Sequence, residues 1–360
     1  MSYVNIIKYA ALFFPLVALL FTMPFLLSQY HKYGSISLFK SGIIYLFIFY
    51  MICAYFLVIL PLPKISEVAK MTSPRMQLMP FCFVIDFIEH SSLSITNIYT
   101  YIPAIKESYF YVPLFNIVLT IPFGMFLRYY FQCNIKKIII YSFLLSLFFE
   151  LTQLSGLYFI YPRGYRLFDV DDLLLNTCGG VVGYFLCYPL IKILPTIEEI
   201  NIHMREKGKT ISGLRRTLAF LLDLFILFFI EIVAIIFINN VYLLMMIAII
   251  YYFVIPLFLD TSTLGKKFLN IQILDYQDQI NVKRLLLRKI ICVSIYILIP
   301  MGICWLILHA GNNGLREFIG LIILGSLLVM YSISFIKYLF TNKDMLYEKL
   351  SKTRLVSTMR

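Results

Sequence analysis

Apolar residues run along this chain in long unbroken blocks, not in strand-like alternation. A membrane-crossing helix needs about 20 mostly apolar residues. Nine blocks meet that need: 9–27, 42–60, 113–131, 138–154, 173–193, 217–238, 241–259, 290–308 and 318–340. The first has only Lys8 before it and no small-residue cleavage site, so it reads as an uncleaved span. The polar stretch "PTIEEINIHMREKGKTIS" (195–212) separates five blocks from four. The pattern predicts an all-α, polytopic membrane protein with five plus four spans. A first membrane domain covers 1–197, a polar cytoplasmic linker 198–212 and a second membrane domain 213–360. Residues 61–112 form the longest connection. Inside it, "MQLMPFCFVIDFIEH" is apolar with Asp86 and Glu89 at i, i+3. That suits an interfacial or re-entrant helix, or a loop covering the bundle.

Composition agrees with this reading. Of the 360 residues, 61% are hydrophobic and 14% charged, and the mean hydropathy is +0.86. Soluble domains are about half apolar and a quarter charged. The net charge of +12 is then a question of distribution. With the N-terminus outside, 23 of the 31 basic residues fall in inner segments and 8 in outer ones. This predicts a multi-pass protein of the cell membrane, N-terminus outside and C-terminus cytoplasmic. The basic excess then faces anionic membrane lipids and needs no nucleic acid. Seven scattered cysteines form no C-x-x-C pair and have no His at ligand spacing, so neither a disulfide framework nor a metal centre is expected. No nucleotide-binding glycine motif occurs, and no cofactor is expected. The sequence assigns no oligomeric state.

Polarity concentrates at one place in the first half. "FFELTQLSG" ends the fourth block with Glu150 and Gln153 on one helix face. Then "GYRLFDVDDLLLNTCGGVVGYFL" (164–186) opens the fifth with Asp169, Asp171 and Asp172. Asp172, Asn176, Gly179 or Gly180, and Gly183 form one stripe, and Gly179-x-x-x-Gly183 permits close helix approach. A lone charge deep in a bilayer costs about 3 kcal/mol or more, so such groups pair or line a cavity. Three readings are open. One Asp caps the fifth helix while Arg163 or Arg166 pairs with Glu150. Alternatively the group forms a functional polar pocket facing the outer side. A hard cation on the three aspartates is the third, without the Gly and later Glu of an EF-hand.

These residues also carry a resemblance. "RMQLMPF" (75–81), "NIVLTIPFG" (116–124), "ELTQL" (150–154) and "RLFDVDDLLLNTCGGVVG" (166–183) resemble, in order, the VanZ-like family over about residues 10–195. The resemblance implies Asn116, Pro122, Gly124, Glu150, Gln153, Arg166, Asp169, Asp172, Asn176 and Gly180 as family-type positions. It further implies a link to resistance against the glycopeptide teicoplanin, with a cell-wall precursor or glycopeptide as partner. It implies no defined reaction.

The second half opens "GLRRTLAFLLDLFIL", with Arg216, Ala219 and Asp223 in R-x-x-A-x-x-x-D order. With "STLGKKFLNIQILD" (262–275) and "YEKLSKTRLV" (347–356) it resembles the RDD family over about 210–356. That family usually has Asp where this chain has Glu348, so the carboxylate sits one methylene further out. The resemblance implies membrane transport of the sodium–proton exchange type. Read from the residues, Asp223 lies about two turns inside the sixth span. Arg215, Arg216, Lys266, Lys267, Arg288 and Glu348 lie on its inner side. An intramembrane carboxylate beside a guanidinium is either a functional site or a buried ion pair orienting the helix against the tail. Glu231, further along, reads as helix-contact polarity. Three functions stay open: a binding or protective factor at the outer leaflet, an ion or lipid-linked substrate transporter, and an enzyme using Glu150 with Asp172 as acid and base.

Overall fold

The computed structural model describes residues 3–238, 241–309, 314–340 and 344–359. Each of the nine apolar blocks is helical, to within two residues at its end. Seven helices are long and apolar enough to cross a membrane, and Tyr242–Phe258 is a shorter apolar segment. The remaining block lies in the helix Ile135–Leu154, which carries Lys136, Lys137 and Glu150. The chain is a multi-pass α-helical membrane protein. The side chain of Arg316, one of the basic residues expected outside, lies outside the described residues.

Two compact units are present: residues 1–22 with 38–200, and residues 23–37 with 201–360. In the first, the helices Leu38–Ile59, Ser108–Tyr129, Ile135–Leu154 and Val170–Ile193 pack together. Asn134 caps the third by accepting a hydrogen bond from the Lys137 N–H at 3.0 Å. Asp169 caps the fourth by accepting from the Asp171 N–H at 2.9 Å. Ala54, Leu119 and Phe149 form one apolar core, and Phe123, Leu127 and Ile138 form another.

The helices 108–129 and 170–193 meet through glycine. A Cβ on Gly124 would lie 2.0 Å from the Gly180 carbonyl oxygen. One on Gly183 would lie 2.1 Å from the Ile121 carbonyl oxygen, and one on Gly179 2.1 Å from Thr120 Oγ1. The Gly179/Gly183 stripe thus receives helix 108–129. Gly180 turns the other way, against Ser142 of helix 135–154.

The long connection contains the helix Cys82–His90, which has no buried residue. It packs on helix 108–129, with Phe87 5.8 Å from Phe110 and His90 stacked on Tyr109. Two residues upstream of it, Met76–Gln77, pair in parallel with Phe168–Asp169. This brings "RMQLMPF" beside "RLFDVDD", over 90 residues apart in sequence.

The polar stretch folds as the helix Ile197–Gly208, whose residues from 201 onward belong to the second unit, with Met204 buried. Ser35 donates to the Met204 carbonyl at 2.6 Å. The helices Gly213–Ile238, Val282–Val293 and Gly314–Phe340 carry most of the apolar length. Two stretches widen into single π-helical turns, Ile250–Val254 and Ser294–Leu298. Strand Ile271–Asp275 pairs antiparallel with Thr353–Ser357. Backbone hydrogen bonds, from Gln279 first, hold the Asp275 carboxyl below the usual range. This small ladder tells against no helical expectation, but neither segment has strand length enough to stand out in an apolar sequence.

The glycine contact makes a prediction. Gly124→Ala forces a methyl against backbone and should lower the thermal midpoint of the detergent-solubilised protein, by a cost of about 1–3 kcal/mol. Gly42→Ala, with nothing within 4 Å of its added Cβ, is the control and should be neutral or stabilising. Equal midpoints for the two variants would refute the backbone contact.

Candidate functional site

Three helix stripes converge in the first unit. Asn116, Thr120 and Gly124 recur at i, i+4, i+8 on helix 108–129. Ser142, Ser146, Glu150 and Gln153 line helix 135–154, and Asp172, Asn176 and Gly180 line helix 170–193. The glycines set the helices close enough for the polar members to bond. Asn116 Nδ2 donates to Asp172 Oδ1 at 2.5 Å. Thr120 Oγ1 donates to the Asn176 carbonyl at 2.8 Å. Ser146 donates to the Asp172 carbonyl at 3.0 Å, and Asn176 Nδ2 donates to Ser146 Oγ at 2.8 Å. Asn176 Oδ1 is buried and has no hydrogen-bond partner among the described residues.

Above these bonds lies a cavity of about 430 Å³. Its polar lining is Asn116, Glu150, Gln153, Arg166, Asp172 and Asn176. Apolar walls come from Leu57, Phe115, Leu119 and Phe149. Glu150 is 2% exposed, and its Oε2 accepts from the Asp169 N–H at 3.0 Å. The Glu150 and Asp172 carboxyl groups line the same cavity. These carboxyls, beside three amides and a guanidinium, can offer both donors and acceptors to a polar ligand.

Six of the nine residues expected at this site therefore share one cavity. The other three do something else. Asp169 is the helix cap. Burial pushes its carboxyl up, opposed by its bond from the Asp171 N–H. Asp171 accepts from the N–H groups of Phe81, at 2.6 Å, and Phe83, at 2.9 Å. It fixes the start of helix 82–90, whose free N–H groups favour a carboxylate. Arg163 donates to the carbonyls of Met71 and Ser73.

The expected pairing of Glu150 with Arg163 or Arg166 does not form. Arg166 instead donates to the carbonyls of Val58, at 2.6 Å, and Leu60, at 3.0 Å. Gln153 Nε2 donates to the same Val58 carbonyl at 3.0 Å. The reason is the end of helix 38–59, whose last carbonyls lack helical donors and attract a cation. No group of three or more His, Cys, Asp or Glu placed to hold a metal ion occurs among the described residues.

In the second unit, the sequence-expected inner residues divide into two clusters. Asp223, 2% exposed, accepts from Tyr251 Oη at 2.7 Å, Thr263 Oγ1 at 2.5 Å and the Gly265 N–H at 2.7 Å. A Cβ on Gly265 would lie 2.4 Å from the Ala219 carbonyl oxygen and 2.8 Å from Asp223 Oδ1. The alanine and the glycine let the 264–268 turn reach the carboxylate. Arg216 does not pair with Asp223. Its Nη1 is 3.8 Å from Glu348 Oε2, and Arg288 Nη2 is 2.7 Å from Glu348 Oε1. Glu348 Oε2 also accepts from the Met345 N–H at 2.8 Å, opening the helix Leu346–Ser351. Hence Glu348 is the counter-charge to two arginines, while hydroxyls and one N–H satisfy Asp223. Lys266 lines a separate cavity with Asp223.

Arg215 was expected only at the mouth of the helix, yet it is fully buried. It donates to the carbonyls of Gly34, Gly208, Leu269 and Asn270 and to Ser357 Oγ.

Residues 47–193 match the family model described as VanZ/LLP1, and residues 212–344 match that of the RDD family. The chain joins a VanZ-like segment to an RDD segment. No curated protein matches it, and no solved structure does. The VanZ-like match holds every residue of the polar cavity except Ile6. Glu348 stands just beyond the RDD match. Sequence reading missed Thr120, Ser142 and Ser146 in the VanZ-like segment, although their i, i+4 spacing from Asn116 and Glu150 was a usable signal. In the RDD segment it missed Tyr251 and Thr263, whose distance from Asp223 in sequence hides them.

The RDD geometry predicts which substitutions couple. Removing one member of a buried ion pair costs about 3–5 kcal/mol. Glu348→Gln should therefore lower the thermal midpoint sharply, and Arg288→Gln should add little on top of it. Arg216→Gln with Asp223→Asn should instead be nearly additive. Strong coupling between Arg216 and Asp223 in a double-mutant cycle would overturn the assignment.

Proposed function

We propose that the VanZ-like cavity binds the polar part of an envelope ligand at the outer leaflet of the cell membrane. The ligand class is a glycopeptide or a cell-wall precursor, and the outcome is protection against teicoplanin. The observation that carries this reading is the gathering of Asn116, Glu150, Gln153, Arg166, Asp172 and Asn176 around one cavity between membrane helices. A purely structural cluster would consume its own polar atoms. Here Asn176 Oδ1 stays without a hydrogen-bond partner among the described residues, while amide, carboxyl and guanidinium groups face shared space. The family resemblance supports the phenotype and the charge pattern supports the side. With 23 of 31 basic residues on the inner segments, the N-terminus lies outside and the C-terminus in the cytoplasm. The cavity then opens to the outer face.

The side is tested by single cysteines in a background without the seven native ones. An impermeant maleimide applied to intact cells should label a cysteine beside Arg163 and miss one beside Lys207. The opposite labelling would put the cavity on the cytoplasmic side and end the outer-leaflet reading.

The site is tested by pairing membrane abundance with teicoplanin susceptibility in a sensitive host. Glu150→Gln and Asp172→Asn should lose protection at near-normal abundance. Asn176→Ala also removes the bond to Ser146 and should lose about 1–3 kcal/mol of stability besides. Full protection in the first two variants, or no protection by the wild type, would reject the proposal.

A further inference from the structure

A second cavity, of about 330 Å³, lies within the RDD segment. Its lining mixes two chemistries. Lys266, Arg288, Lys289 and Asp223 are the charged members. Most of the rest is apolar or aromatic, including Phe220, Phe253, Val293 and Phe335. These walls come from the helices and π-helical turn that carry the apolar length of this segment.

The charges of the lining do not balance. Asp223 has its carboxylate oxygens occupied by Tyr251, Thr263 and Gly265. Arg288 is neutralised by Glu348, which Arg216 shares. Lys289 donates only to a neutral group, the Tyr252 carbonyl. Lys266 has no hydrogen bond or ion pair among the described residues, and burial beside Arg288 pushes its ammonium below the usual range. Three basic groups, Lys266, Arg288 and Lys289, thus line a low-dielectric space with one lining carboxylate, Asp223, while Glu348 is shared with Arg216, and this cationic surplus favours an anion. The Tyr252 hydroxyl, also lining the cavity, is buried and without a hydrogen-bond partner among the described residues. Both π-helical turns reach the cavity, through Tyr252 and Phe253 on one and Tyr296 on the other. Turns of this kind break regular helix geometry and recur at functional sites.

We propose that this cavity binds an anionic amphiphile of the membrane. A phosphate-type head sits on Lys266 and Lys289 with the Tyr252 hydroxyl donating to it, and a hydrocarbon chain lies along Phe220, Phe253 and Phe335. A free phosphate would satisfy the same head chemistry but would leave the apolar walls unused. The proposal stands apart from the reading of the VanZ-like cavity, since it uses none of those residues.

The test uses the full chain in detergent, offered phosphatidylglycerol and phosphatidylcholine with identical acyl chains. Native mass spectrometry should find phosphatidylglycerol retained about ten-fold over phosphatidylcholine, equivalent to about 1.4 kcal/mol. The double variant Lys266→Gln/Lys289→Gln should bring the ratio to parity. Phe335→Trp, which adds bulk among the apolar lining residues, should lower retention of both lipids. Inorganic phosphate forms the second arm, read as protection against thermal unfolding. Phosphate protection without any headgroup preference among lipids would overturn the amphiphile in favour of a small anion. No preference and no protection in the wild type would overturn the site altogether. If the double variant fails to fold, the wild-type ratio and Phe335→Trp still decide. Retention of both lipids that is undiminished in Phe335→Trp would place lipid binding elsewhere on the protein and also refute the proposal.

Discussion

The VanZ-like segment depends on one steric fact: the backbones of helices 108–129 and 170–193 touch at Gly124 and Gly180. In a bilayer, helices gain little from hiding apolar side chains, because the surrounding lipid is equally apolar. Close backbone approach supplies dispersion contacts, and it brings the polar groups of facing stripes within bonding distance. The 2.5 Å bond from Asn116 to Asp172 and the 2.8 Å bond from Thr120 to the Asn176 carbonyl both cross this contact. A wider separation would strand amides and a carboxyl in hydrocarbon. The glycines thus determine whether the cavity has an organised floor.

The RDD segment handles buried charge differently. Its two carboxylates serve separate ends. Glu348 meets two guanidinium groups and starts a short helix, while Asp223 is held by uncharged donors. The R-x-x-A-x-x-x-D order does not encode an arginine–aspartate pair. It places the arginine toward the tail, the alanine where a glycine turn must approach, and the aspartate where that turn can donate to it. A carboxylate satisfied by three donors is anchored, and the cationic surplus is left to the lysines of the cavity beside it.

The helices were legible because each apolar block is long and an aspartate marks the start of the fifth, where Asp169 is the cap. The stripe of Asp172, Asn176 and the glycines was legible from spacing alone. What spacing within a helix cannot reveal is the partner across space. One reading set Arg163 or Arg166 against Glu150 because their charges are opposite, but the exposed carbonyls ending helix 38–59 compete for Arg166 and win. Asp171 looked like a pocket residue until the 76–77 and 168–169 strands brought Phe81 and Phe83 to it. The pairing of 271–275 with 353–357 was likewise hidden, since neither five-residue run announces the other.

Arg215 has consequences for how the chain is made. Its donors reach oxygens near residues 34, 208, 270 and 357, so they draw on segments far apart in the polypeptide. A ribosome delivers these oxygens in sequence, and Ser357 follows Gly34 by more than 300 residues. Until Ser357 arrives the guanidinium lacks part of its final set, and the tail ladder beside it cannot close. A chain released early would keep a partly satisfied cation in a place that the finished protein shields from water.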